Sequence, residues 1–276
     1  VAQEKDDSQQ VRIIVSSSYR FTHAIVRTPP SSAVLGLRAN DVGNPDVVAL
    51  KQHHMAYVSA LEAVGVHVTV LPALEEFPDS LFVEDTALCL PRGAVILRPG
   101  APTRRGEAMA MADAVKEFYP TAVGLPGVGT LEGGDILAME NEILIGISNR
   151  STSEGIAALA EVASPWGYQV REVTTPAGVL HFKSDCSLLD ETTVLSTRRL
   201  SASGCFDGYT VIDVAEGEEP AANSIRVNGV VFMPEGFPHT SQAVRDGGFE
   251  VVELPNSECQ KIDGGLSCLS LRFSPA

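Results

Sequence analysis

FVEDTALCLPRGAVILRP (82–99), LEGGDILAMENEILIGIS (131–148), HFKSDCSLLDETTVLSTR (181–198), PAANSIRVNGVVFMPEGF (220–237) and IDGGLSCLSLRF (262–273) carry one pattern five times. Each stretch opens on small or acidic residues and runs into a short apolar strand. In the first four a turn follows, at Pro91-Arg92-Gly93, Glu140-Asn141-Glu142, Asp190-Glu191-Thr192 and Asn228-Gly229, and a second apolar strand leads out. Two apolar runs around such a turn are the mark of a β-hairpin. Asp85, Asp135 and Asp185 fall 50 residues apart, as a repeated unit requires. The fifth copy stops after one strand, at Phe273. HAIVRTP (23–29) is expected to complete it, so that the two ends of the chain close a ring and leave no open sheet edge.

Outward from the hairpins, apolar residues recur at three- and four-residue steps over 45–65, 105–119 and 151–163, which predicts helices. Thr152 or Ser153 can cap the third and Gly65 can end the first. The helix after the third hairpin, at 201–208, looks shortened. Another apolar strand follows each helical stretch, at 67–72, 121–126, 168–173, 209–214 and 249–254. The unit is β-β-α-β, repeated five times around a pseudo-five-fold axis. The fold class is therefore α/β, with residues 19–276 forming a single domain. Residues 1–18 are an extension, with 1–10 expected to be disordered and VRIIV (11–15) to add an edge strand or an arm.

The 276 residues, 44% hydrophobic and 20% charged, belong to a globular chain rather than a disordered one. No apolar run approaches the roughly 20 residues that span a bilayer. The net charge of −15 repels nucleic acid and anionic membranes and favours cationic ligands. Five cysteines without a CxxC pair argue for free thiols, and hence for a cytoplasmic protein. Zinc-ligand spacing, a P-loop and GxGxxG are all absent, so no metal and no cofactor is expected.

A ring of hairpins gathers the polar openings of its repeats. Those openings hold Asp79, Glu84 and Asp85; Glu132 and Asp135; His181 and Asp185; Asn223; and Asp263 with Cys268. Carboxylates bind a cation, and a thiol near a histidine supports nucleophilic catalysis. Each has a plainer reading as well: Cys268 as core filler, His181 as a core or surface histidine, and the glycine pairs 133–134 and 264–265 as turns that need unusual dihedrals.

Beyond spacing, FTHAIVRTP (21–29), FPDSLFVEDTALC (77–89), ILRPGAPTRRGE (96–107), LEGGDI (131–136), LHFKSD (180–185) and KIDGGLSCLSLRF (261–273) resemble the dimethylarginine dimethylaminohydrolases of the guanidino-modifying superfamily. The resemblance covers about Phe21 to Phe273. It implies a five-bladed β/α propeller that converts Nω-methylated arginine and water into citrulline and a methylamine. By the same resemblance Cys268 is the nucleophile, His181 the general acid and base, and Glu132 the carboxylate that holds it. Asp79 and Asp85 bind the substrate guanidinium with Glu84 beside them, and Arg98 and Arg150 clamp the α-carboxylate. Ile262, through its backbone, and Asp263 contact the α-amino group. The family's lid loop carries a leucine on the substrate, expected here near Ala33 within 29–45. The implied partner is a small cationic amino acid, and self-association is left open. The alternatives are a hydrolase or deiminase of arginine or another guanidine, and a propeller without catalysis.

Overall fold

The computed structural model describes residues 18–275; the expectations for residues 1–17 lie outside them. Five sheets of three strands each form the blades of the ring. The second blade joins β3 (Ala87–Leu90), β4 (Gly93–Ile96) and β5 (Val123–Gly124), with helix α2 (Arg105–Phe118) between the last two. The third joins β6 (Ile136–Ala138), β7 (Glu142–Ile147) and β8 (Gln169–Thr174) around α3 (Ser153–Ala163). The fourth joins β9 (Cys186–Leu188), β10 (Thr193–Ser196) and β11 (Thr210–Asp213), with the short α4 (Arg198–Ser201). The fifth joins β12 (Ile225–Val227), β13 (Val230–Pro234) and β14 (Glu250–Leu254) around α5 (Pro238–Asp246). In every blade the first pair is antiparallel and the second parallel, as a hairpin followed by a helical crossover dictates.

The first blade is built from both chain ends. β1 (His23–Arg27) pairs in parallel with β2 (His67–Leu71) across α1 (Val47–Ala63), and antiparallel with β15 (Leu271–Phe273), where His23 faces Phe273. The ring is closed as the truncated fifth copy implied. A further short helix, α6 (Ser257–Gln260), precedes the last opening. The shortened fourth helix lies at 198–201, ahead of the 201–208 stretch, because the chain beyond it breaks into turns. Asp46 caps α1 through the amides of Val48 and Ala49, and Thr152 caps α3 through that of Gly155.

Burial explains the strand compositions. The middle strands, β1, β4, β7, β10 and β13, are nearly all buried, while the outer strands alternate or lie exposed. The apolar core sits between blades rather than in one centre. One cluster joins Ala24, Val26 and α1 to Ile225, Val227 and Phe232; another joins Ile25, Leu271 and Phe273 to Ala94, Met111 and Val115. Three more fill the remaining blade interfaces.

Polar clasps accompany these interfaces. Asp85 Oδ1 accepts the Gly134 amide at 2.8 Å, Asp135 Oδ1 the Phe182 amide at 2.9 Å, and Asn223 Oδ1 the Ser267 amide at 2.9 Å. The acidic or amide residue at one opening thus holds the backbone of the next, which explains the regular spacing of the aspartates. Asp185 breaks the series and binds Thr197 and Arg199 within its own blade. Asn228, at φ 55°, fastens the N-terminal segment to the fifth blade. Its side chain accepts from the Phe21 amide at 2.9 Å and donates to the carbonyls of Phe21 at 3.2 Å and Val64 at 2.8 Å. Replacing Asn228 by alanine should lower the unfolding free energy by about 2–3 kcal/mol, at about 1 kcal/mol per hydrogen bond. A denaturant midpoint unchanged from the parent would contradict this clasp.

Candidate active site

Around a cavity of about 270 Å³ the structure gathers Asp79, Asp85, Glu132 and His181 with Arg150, Ile262, Asp263 and Cys268. Five chain segments supply these residues, and each arrives from a repeat opening or the loop beside it. His181 stands at the start of a single 3-10 turn, Phe182–Ser184, and Cys268 within another, Ser267–Leu269. Asp263 is held at φ 56°, a left-handed conformation that a side chain rarely adopts.

Glu132 is fully buried. Its Oε2 lies 2.7 Å from His181 Nε2, its Oε1 accepts the Ala101 amide at 3.1 Å, and Arg150 Nη1 stands 3.6 Å from that oxygen. Burial alone would discharge the imidazole, but Asp85, Asp135 and Glu132 outweigh it and push His181 up to about 9. Burial likewise opposes the Asp85 carboxylate, yet His181 and Arg104 hold it down at about 2. Asp79 goes the other way: burial raises it, against the pull of Arg104. The Cys268 thiol is pushed up to about 12 by burial and then by the carboxylates of Glu84 and Asp85. At neutral pH the site therefore holds an imidazolium and a protonated thiol.

The glycine pairs serve close approach rather than unusual dihedrals, since none of Gly133, Gly134, Gly264 and Gly265 has a positive φ. A Cβ on Gly134 would stand 2.7 Å from His181 Nδ1, and one on Gly133 would collide with the Glu84 carbonyl. Asp85, Glu132 and His181 bring one ligand atom each within 4.8 Å of one another. Both carboxylates are already engaged, Asp85 by Arg104 and the Gly134 amide, Glu132 by His181 and the Ala101 amide. The trio has the chemistry of a clamp on an imidazolium.

Three expected residues lie elsewhere. Arg98 spends its guanidinium on the carbonyls of Gly129 and Leu125, because the bridge between residues 98 and 131 turns it along the blade edge and away from the cavity. Ala33 is fully buried in the core beneath the loop; the leucine at the cavity is Leu37. Glu84 faces the hub of the ring, where it meets Lys183 at 2.6 Å, Arg272 at 2.9 Å and Ser267 at 2.9 Å. Sequence reasoning missed Arg104, Arg38, Phe82, Asn149 and Leu180, all of which border the cavity. Arg104 stands six residues after Arg98 in the same motif, and only the 3-10 turn Pro102–Arg104 decides which of the two points inward. Buried Arg104 grips Asp85 and Glu107 and the carbonyls of Phe82 and Asp79. The loop over the cavity is pinned by its own amides: Leu37 donates to Asp79 Oδ1 at 2.9 Å and Ala39 to Asp263 Oδ2 at 2.5 Å.

Comparison with known proteins agrees with this architecture. The N(G),N(G)-dimethylarginine dimethylaminohydrolase of Pseudomonas aeruginosa is 40% identical over 254 residues, 92% of this chain and all of that protein. The chain belongs to the dimethylarginine dimethylaminohydrolase family. A model of the arginine deiminase family matches residues 45–176. Two crystal structures, each 39% identical and covering 92% of this chain and 100% of theirs, superpose closely. One is a cysteine-to-serine mutant of the Pseudomonas aeruginosa enzyme complexed with citrulline, at a TM-score of 0.90. The other is a histidine-to-glycine dimethylarginine dimethylaminohydrolase as its adduct with S-methyl-L-thiocitrulline, at 0.89. This member of the dimethylarginine dimethylaminohydrolase family is a β/α propeller of five blades.

The Glu132 carboxylate accounts for part of the charge on His181. Glu132→Gln should lower the imidazolium pKa from about 9 by about one unit or more. Imidazole NMR titration of both proteins checks this, and an unshifted His181 would remove Glu132 from the charge balance.

Proposed function

We propose that this chain hydrolyses Nω-methylated arginine to citrulline and a methylamine, with Cys268 as nucleophile, His181 as acid and base, and Glu132 holding His181. The observation that carries the reading is one cavity bordered by a thiol, a Glu132-bound imidazolium, two carboxylates deep in it and an arginine and an aspartate beside them. The substrate guanidinium enters toward Asp79 and Asp85, where fixed carboxylates orient a planar cation. Its α-carboxylate meets Arg150, and its α-amino group meets Asp263 and the backbone of Ile262. Leu37, not Ala33, closes over the substrate.

Chemistry follows in two halves. As the Cys268 thiolate attacks the guanidinium carbon, His181 gives its proton to the departing methylamine and a thiouronium remains on sulfur. Neutral His181 then takes a proton from water, the oxygen adds to the same carbon, and the thiolate leaves with citrulline released. A buried thiol pushed up to about 12 is a poor nucleophile until a cation arrives beside it. The guanidinium supplies that cation, so substrate binding itself favours the thiolate. The five free thiols fit a reducing compartment, and a cytoplasmic location is part of the proposal. No helix among the described residues is long and apolar enough to cross a membrane.

The family-model match to arginine deiminases favours one second reading, hydrolysis of unmethylated arginine. Citrulline release from arginine, monomethylarginine and asymmetric dimethylarginine separates the two. The methylated substrates should give the higher kcat/KM, and Cys268→Ser should abolish release from all of them. Preference for arginine would establish the second reading, and residual turnover by Cys268→Ser would remove the nucleophile.

The pKa shifts set the pH profile. The active free enzyme has lost the thiol proton and kept the imidazolium, one proton fewer than the neutral-pH form. The free-enzyme profile, kcat/KM, should therefore rise with pH from 7 to about 9 and fall only when the second proton leaves, near about 12. Bound guanidinium that brings the thiol below the imidazolium makes thiol ionisation the ascending limb of kcat, which should then lie at lower pH than that of kcat/KM. Coincident limbs would mean that the substrate does not bring the thiol below the imidazolium.

A further inference from the structure

A second cavity, of about 130 Å³, runs through the hub of the ring between the inner strands β15, β3, β6, β9 and β12. Its charged residues are Glu84, Lys183, Arg226 and Arg272, three cations to one carboxylate in a chain whose net charge is −15. Glu84 is fully engaged by Lys183, Arg272 and Ser267. Arg272 spends its other donors on Ser267 and Ser270, and Arg226 on the carbonyls of Leu189 and Asn228. The Lys183 ammonium meets only Glu84 among the described residues, which leaves two of its three N–H groups over. Ser187, on β9, is 5% exposed and faces the same cavity, and its hydroxyl has no partner among the described residues. A buried hydroxyl and spare ammonium donors, in a cavity with excess positive charge, offer hydrogen bonds to an anionic acceptor.

We infer that the hub binds a small monovalent anion of the halide class, with Lys183 and Ser187 supplying its hydrogen bonds. The volume admits a halide together with several waters. The site also reaches the nucleophile. Lys183 is among the charges that lower the Cys268 thiol, whereas Glu84 raises it. An anion against Lys183 offsets its field and raises the thiol, so occupancy slows the reaction on the ascending limb of kcat/KM. That kinetic consequence rests on the function proposed above; binding does not.

Two measurements on the intact chain test the site. Crystals of the parent and of Ser187→Val are soaked in bromide, and kcat/KM is followed against pH in chloride and in a bulky organic sulfonate at equal ionic strength. The parent should show an anomalous bromide peak beside Lys183. Chloride should lower kcat/KM about threefold along the ascending limb and plateau, the effect of raising the thiol by about half a unit, while the midpoint of the limb stays with His181. Ser187→Val should lose both effects while keeping the parent rate in sulfonate. Lys183→Met, whose fold is checked by circular dichroism, should lose the peak as well. No bromide peak in the parent, or an equal peak in Ser187→Val and Lys183→Met, would overturn the site. A peak without the loss in kcat/KM would uphold the site and count instead against Cys268 as the nucleophile that must ionise.

Discussion

Antiparallel pairing of β15 with β1 is the constraint on which the rest depends. Three residue pairs, His23 with Phe273, Ala24 with Arg272 and Ile25 with Leu271, tie the last strand to the first. They remove the free edge that a linear array would expose. They also fix where the chemistry sits. Cys268 and Asp263 lie just before β15, and Asp79 and Asp85 lie just before β3, in neighbouring blades although more than 170 residues apart in sequence. Without that closure the thiol would have no carboxylates beside it. The inter-blade clasps then set the depth of each opening, and Asp85 serves at once as clasp, partner of Arg104 and wall of the cavity.

Charge is concentrated in this site at considerable cost. Asp79, Asp85, Glu132 and His181 are all at least nine-tenths buried, where desolvation disfavours every ionised form. The arrangement tolerates this because backbone amides and Arg104 fix the carboxylates before any ligand arrives. The loop amides of Leu37 and Ala39 occupy Asp79 and Asp263, the same carboxylates assigned to the substrate. Loop position and ligand entry are coupled through those two oxygens, which accept from the chain or from the ligand. A neutral or anionic ligand has little to gain there; a cation with a carboxylate at its far end matches both poles.

The ring, its five β-β-α-β units and its closure were legible because hairpin periodicity and turn residues are local signals. The convergence of the openings was legible only in part: Asp85, Glu132, His181 and Cys268 meet at the cavity, while Asp135, Asp185 and Asn223 hold the chain beside it. What failed depended on orientation. Arg98 and Arg104 share one motif, and a 3-10 turn reverses the choice between them. Glu84 and Asp85 are adjacent, so their side chains diverge, Asp85 to the cavity and Glu84 to the hub. Ala33 and Leu37 share one loop whose register is set by amide contacts with Asp79 and Asp263 far along the chain. The glycine pairs misled for a related reason. Close contact with the neighbouring blade, rather than a turn dihedral, demands them, and no local pattern encodes that contact.

The central claim is that one thiol carries the amidino carbon between two half-reactions. Its most direct test is acid quenching during turnover, followed by intact-mass and peptide mass spectrometry with two substrates, monomethylarginine and asymmetric dimethylarginine. The account predicts an adduct on the Cys268 peptide alone. Its mass should be the same from both substrates, because the methylated nitrogen has departed before the thiouronium accumulates. An adduct that retains the methyl groups, one on another cysteine, or none under conditions where citrulline is being formed and the first half-reaction is the faster, would contradict it.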